Sequence, residues 1–105
     1  MIKKVLFLLL FLSATVAFSQ KSLSKLTSAP NPFTTETNIS FTSDTDQSII
    51  LTVRNILGKT VYTKKHIIKK GTNSIPFSKG DLSSGMYIYS IQNNKELVSK
   101  RFVIK

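Results

Sequence analysis

From residue 38 onward the chain alternates between apolar and polar positions. Ile39 and Phe41 face one way within 38–42, and Ile49, Leu51 and Val53 do so within 49–54. This period of two is the signature of a half-buried strand. Ser43 to Gln47 forms a polar turn between the two, and Asn55-Ile56-Leu57-Gly58 predicts a hairpin, with Asn opening a type I turn and Gly taking positive φ at its end. The chain returns over 59–63 with Val61 inward. The next stretch, 64–70, mixes Lys and Ile on both faces, which predicts a bulge or a change of sheet near His66. A short strand at 73–77 carries Pro76, which marks an edge position because a central strand needs that N–H. A loop with Gly80, Leu82 and Gly85 leads to the strongest strand, 86–91, whose Tyr87, Tyr89 and Ile91 share a face. After a turn at 93–96, the last strand over 97–104 places Val98, Phe102 and Ile104 together. About seven short antiparallel strands with turns between them predict an all-β fold, an immunoglobulin-like β-sandwich.

The start of the chain follows a different rule. Met1-Ile2-Lys3-Lys4 is a short positive start, residues 5–12 are unbroken apolar, and small residues including Ala17 and Ser19 follow. That order predicts a cleavable signal peptide over 1–19, cut before Gln20. The apolar run falls short of the ~18–20 residues a membrane span needs. Residues 20–29 are polar with only Leu23 and Leu26 as large apolar residues, and read as a linker. Pro30-Asn31-Pro32 then predicts a rigid, extended joint, with Phe33 as an anchor into the core of a domain spanning 30–105.

Composition narrows the chemistry. The chain has no cysteine, which excludes disulfides, thiolate metal sites and a lipoprotein anchor. It carries 15 Lys and Arg against 5 Asp and Glu. Without Lys3 and Lys4 the remainder holds 13 against 5, a net +8 that favours anionic partners. An exported protein seldom meets nucleic acid, so no nucleic-acid partner is expected. Catalysis lacks its parts: His66 is the one histidine and sits among lysines, where it reads as a solvated strand residue. Asp44 and Asp46 read as a solvated turn, because a calcium loop needs further acids nearby. We expect no enzyme, no cofactor and no metal. The candidate anionic contacts are Lys64, Lys65, Lys69 and Lys70, together with Lys100, Arg101 and Lys105 on the last strand. The aromatic residues read as core.

Ordered along the chain, Pro30-Asn31-Pro32-Phe33, Gly58-Lys59-x-Val61, Gly71-x-Asn73, Leu82-x-x-Gly85-x-Tyr87-x-Tyr89-x-Ile91 and a basic terminal strand resemble one family. It is the C-terminal sorting domains (type A) of the type IX secretion system of Bacteroidota. The specificity lies in the order of the pieces, with Pro30, Asn31, Pro32, Gly58, Lys59, Gly71, Leu82, Gly85, Tyr87 and Ile91 carrying it. The resemblance implies passage through the inner membrane on the signal peptide, then recognition in the periplasm by the outer-membrane translocon through shape and edge pairing. It further implies secretion or display at the cell surface, with anionic lipopolysaccharide as a further partner. Such a domain normally follows a large cargo, and here about residues 20–29 precede it; a relic, a truncated gene and a genuine small protein all fit that arrangement. The alternative from a different class is a small exported immunoglobulin-like adhesion or glycan-binding module, which an exposed aromatic patch would favour.

Overall fold

The computed structural model describes residues 21–105. The signal-peptide expectation over 1–19 lies outside the described residues, as does Gln20. Among the described residues the fold is all-β, with seven strands: β1 (Leu23–Ala29), β2 (Glu36–Ser43), β3 (Gln47–Asn55), β4 (Thr60–Ile68), β5 (Gly71–Ser78), β6 (Gly85–Gln92) and β7 (Leu97–Ile104). They form a three-stranded sheet in the order β1-β2-β5 and a four-stranded sheet in the order β4-β3-β6-β7. All strand pairs are antiparallel.

Alternation sets the inward faces as the sequence predicts. Ile39 and Phe41 of β2 and Ile75 and Phe77 of β5 meet Ile49, Leu51 and Val53 of β3 in one buried core. Tyr87, Tyr89 and Ile91 of β6, Phe102 and Ile104 of β7, and Leu23, Leu26, Phe33 and Ile68 join it. Rings fill much of the space between the sheets: Phe102 stacks on Tyr89 at 5.1 Å and meets Phe33 edge-on at 5.1 Å. Pro76 lies on β5, which pairs only with β2 and is therefore an edge strand as expected.

Three expectations are corrected. Residues 20–29 do not act as a polar linker: Leu23–Ala29 is strand β1, paired with β2, and Leu23 and Leu26 are each 1% exposed. A register shift between Ser24 and Thr27, with Lys25 at φ 56°, puts two leucines three apart on the same inner face. A bulge of this kind hides a strand from any period-two reading. The second correction concerns 64–70. The irregularity lies opposite Val53 and Arg54, where Val53 pairs with Tyr62 and Arg54 with Thr60, so Val61 is the extra residue. Beyond it the strand runs unbroken, with Tyr62, Lys64, His66 and Ile68 on the inner side. The count of seven therefore holds with different members, since Thr60–Ile68 is one strand and β1 supplies the seventh. Thirdly, Pro30–Pro32 is a bend, not an extended rod, and both the Ala29–Pro30 and Asn31–Pro32 peptides are cis. The bend carries the chain from β1 of one sheet to β7 of the other, where Phe33 bridges Ile104 in parallel.

Candidate functional site

The residues singled out from the sequence build a scaffold. At Pro30-Asn31-Pro32-Phe33 the Asn31 side chain acts as a strand in miniature. Its Oδ1 accepts from Val103 N at 3.0 Å and its Nδ2 donates to Arg101 O at 3.2 Å. Phe33 continues the same ladder, its N donating to Val103 O at 3.0 Å and its O accepting from Lys105 N at 2.9 Å. The ring of Phe33 is buried at 2% exposure. The Pro30 carbonyl accepts from the buried Thr37 Oγ1 at 2.7 Å. The segment thus closes the outer edge of the second half of β7.

The hairpin forms as predicted. Gly58 N donates to Asn55 O at 3.0 Å, Gly58 takes φ 85°, and Asn55 Oδ1 accepts from Leu57 N and Lys59 N. Lys59 serves through its backbone, and its side chain is exposed. Gly71 opens β5, and the Asn73 amide straddles the turn before it, bonding Lys69 N, Lys69 O and Gly71 O. In the Leu82-x-x-Gly85-x-Tyr87 piece, Leu82 packs against the core and Gly85 takes φ 149°. Tyr87 Oη donates to Ser83 O at 2.7 Å, tying the loop to the start of β6. Ile91 is fully buried. Each of these pieces holds a turn, an edge or the core.

One polar cluster was not visible in the sequence. Glu96 Oε1 accepts from Ser22 N at 2.8 Å, from Leu23 N at 3.1 Å and from Ser22 Oγ. Asn93 Nδ2 lies at 3.4 Å from the same oxygen and donates to Gln47 Oε1 at 2.8 Å. Burial pushes the Glu96 carboxyl up, but the hydrogen bonds from Ser22, Asn93 and Leu23 outweigh it and hold the group below its usual value. The cluster staples the start of β1 to the β2–β3 and β6–β7 turns.

The candidate cations do not converge. Lys64 and Lys65 lie on β4, Lys69 and Lys70 in the turn after it, and Lys100 and Arg101 on β7, with Lys105 just beyond. Strands β4 and β7 are the two outer strands of their sheet, three spacings apart, or about 14 Å. Lys100 sits at an inward position of β7 between Val98 and Phe102, yet is exposed. His66 is half-buried rather than solvated, beside Ile49, with Nε2 enclosed and unpaired. Burial lowers its pKa, and the charge of Lys64 lowers it further. Asp46 Oδ1 accepts from Lys70 N at 2.8 Å. Among the described residues no three His, Cys, Asp or Glu side chains group as a metal site would require.

Sequence reading missed Arg54. On the outer face of the four-stranded sheet it pairs with Ile88, and Ile88 pairs with Arg101. The chain's two arginines therefore flank one isoleucine in a single row. The signal was present, because inward Ile49, Leu51 and Val53 leave Arg54 outward.

A family model described as "Secretion system C-terminal sorting domain" matches residues 29–105. A comparison with curated proteins found no match.

Proposed function

The chain belongs to the secretion system C-terminal sorting domain family, and from that membership we propose that its β domain is read as a folded unit by the outer-membrane translocon of the type IX system. Membership itself establishes a sorting signal of type IX secretion, machinery of that system as its partner, and the cell surface or medium as its destination. The family is a sorting-signal family and not an enzyme family. The observation that carries the proposal is the match over 29–105, reinforced by the way Asn31, Gly58, Leu82, Tyr87 and Ile91 hold an edge, a turn, a loop or the core.

The finer reading has four parts. The first 19 residues act as the signal peptide that brings the chain to the periplasm, in keeping with their charged start and apolar centre. The two sheets form an immunoglobulin-like sandwich. Lettered in order, β1-β2-β5 reads A-B-E and β4-β3-β6-β7 reads C′-C-F-G, and the Tyr87–Ser83 hydrogen bond supports this as a tyrosine corner at the start of the sixth strand. The cationic surface suits anionic lipopolysaccharide as a second contact. Finally, the domain is an address and no residue acts chemically. The adhesion or glycan-binding alternative gains no support: among the described residues Phe33, Phe41, Phe77, Tyr87, Tyr89 and Phe102 are buried, and Tyr62 packs edge-on against Phe77.

Fractionating cells that express the full chain tests the proposal. It should reach the surface or medium in a type IX-competent host and stay in the periplasm of a sibling lacking the translocon. Equal distribution in the two hosts would refute it.

A further inference from the structure

Among the described residues the seven exposed large aliphatic side chains, Ile50, Ile56, Leu57, Ile67, Met86, Ile88 and Leu97, all belong to β3, β4, β6, β7 or the β3–β4 hairpin. The outer face of the three-stranded sheet offers instead Glu36, Asn38, Ser40 and Thr42 of β2 beside Thr72, Ser74, Pro76 and Ser78 of β5. The large aliphatic side chains exposed among the described residues therefore lie on or beside the four-stranded sheet, interspersed with polar and cationic ones, and the outer face of the other sheet is polar. On the outer face of the four-stranded sheet Thr52 and Ser90 are buried at the centre, with Thr52 Oγ1 lying 3.3 Å from Thr63 Oγ1.

At the end of that face away from the β2–β3 and β6–β7 turns the charge has one sign. Arg54, Ile88 and Arg101 form a row across β3, β6 and β7. The two arginine-bearing strands stand two spacings apart, about 10 Å. Arg54 Nε donates to Thr60 Oγ1 of β4 at 3.4 Å, on the side of β3 away from Ile88. Beside Ile88 runs a shallow groove of about 290 Å³ lined by Ile88, Ser99, Lys100 and Arg101. Of the five acids, Glu36 lies on β2, Asp46 in the β2–β3 turn and Asp81 in the loop before β6, while Asp44 and Glu96 stand at the opposite end of the sheet from Arg54 and Arg101, where they line a hollow with Ile50, Lys65 and Leu97.

The strand edges, by contrast, are guarded. β1 has a bulge at Lys25, β5 has Pro76, β4 turns Lys64 inward, and β7 is capped by Asn31 and Phe33 and turns Lys100 inward. These devices obstruct pairing with an added strand.

We propose that the outer face of the β4-β3-β6-β7 sheet, centred on Ile88 between Arg54 and Arg101, is the surface that docks on the sorting machinery, and that its partner is an acidic protein surface presenting carboxylates around an aliphatic side chain. Guanidinium groups bind carboxylates bidentately, and arginine is one of the residues that most often carries the energy of an interface. The inference rests on the type IX reading above and adds the face and the chemistry of the partner.

The test uses the full chain in the competent host and in its translocon-deficient sibling, with Arg54→Glu/Arg101→Glu and Ile88→Glu against the control Lys79→Glu/Lys95→Glu, which makes the same change in charge as the arginine pair elsewhere. Each variant is first purified and melted, and Arg54→Lys/Arg101→Lys serves if the charge reversal does not fold. The proposal expects the exported fraction to fall at least about tenfold for the face variants (about threefold for the lysine pair) and to hold for the control. Unchanged export of folded face variants, or an equal fall in the control, overturns it. If the wild-type chain does not depend on the translocon, the type IX reading itself fails, which is a separate result. Vesicles of phosphatidylcholine with phosphatidylglycerol form the last arm: binding by the wild type that the arginine variants lose would assign the face to lipid and overturn a protein partner.

Discussion

Removing β1 should unfold the domain, although the family match begins only at residue 29. A chain starting at Pro30 lacks Leu23 and Leu26, each 1% exposed in the structure. Burying one leucine side chain contributes about 1.5–3 kcal/mol, so the pair supplies roughly 3–6 kcal/mol as an upper estimate. The cut also removes the Ser22 and Leu23 donors from Glu96 Oε1 and turns β2 into an edge that exposes the flank of Ile39 and Phe41. A domain of this size is stable by only about 5–15 kcal/mol. The loss is therefore a large fraction of the whole. Purified 21–105 and 30–105 are compared by urea denaturation followed by tyrosine fluorescence and far-ultraviolet circular dichroism. The shorter chain should show no cooperative transition, or one displaced by at least about 3 kcal/mol. Leu23→Ala and Leu26→Ala in the longer chain should each cost about 2–5 kcal/mol. Matching midpoints and slopes for the two lengths would refute the reasoning and make β1 a passive tail.

Three further outcomes follow from individual contacts. Tyr87→Phe removes the donor to Ser83 O while keeping the ring, and should cost about 1–2 kcal/mol by urea melt. Asn31→Ala should cost about 0.5–1.5 kcal/mol and, because it reopens the edge of β7 at Arg101 and Val103, should promote concentration-dependent association seen by light scattering. Glu96 is held below its unfolded value of 4.5, so its stabilisation is complete above that pH and is lost as pH falls through the lower folded value; Glu96→Gln should flatten that part of the acid melt.

Much of the architecture was legible because most of the strands keep strict parity. Ile39/Phe41, Ile49/Leu51/Val53 and Tyr87/Tyr89/Ile91 are inward as alternation requires. Parity fails where a single residue is inserted. Lys25 in β1 and Val61 in β4 each shift the pattern, which made one strand read as a linker and moved the irregularity of another to the wrong place. Contacts between distant parts of the chain were not legible at all. Asn31 bonds Arg101 across 70 residues and Ser22 bonds Glu96 across 74, and neither pairing leaves a local pattern. The motif residues were recognisable by their order, but their work as edge cap, turn staple and loop tie emerges only once the strands are placed. Arg54 lay between these cases. Its outward direction followed from parity, whereas its alignment with Ile88 and Arg101 depends on the register of three strands.

The central claim is that the folded domain is itself the address. The most direct measurement joins residues 21–105 to the C-terminus of a reporter that carries its own inner-membrane export signal. The fusion is followed in a type IX-competent host and in its translocon-deficient sibling. The account predicts reporter at the surface or in the medium of the first and in the periplasm of the second, with the fusion lacking β1 periplasmic in both. Periplasmic retention of the intact fusion in the competent host would contradict it.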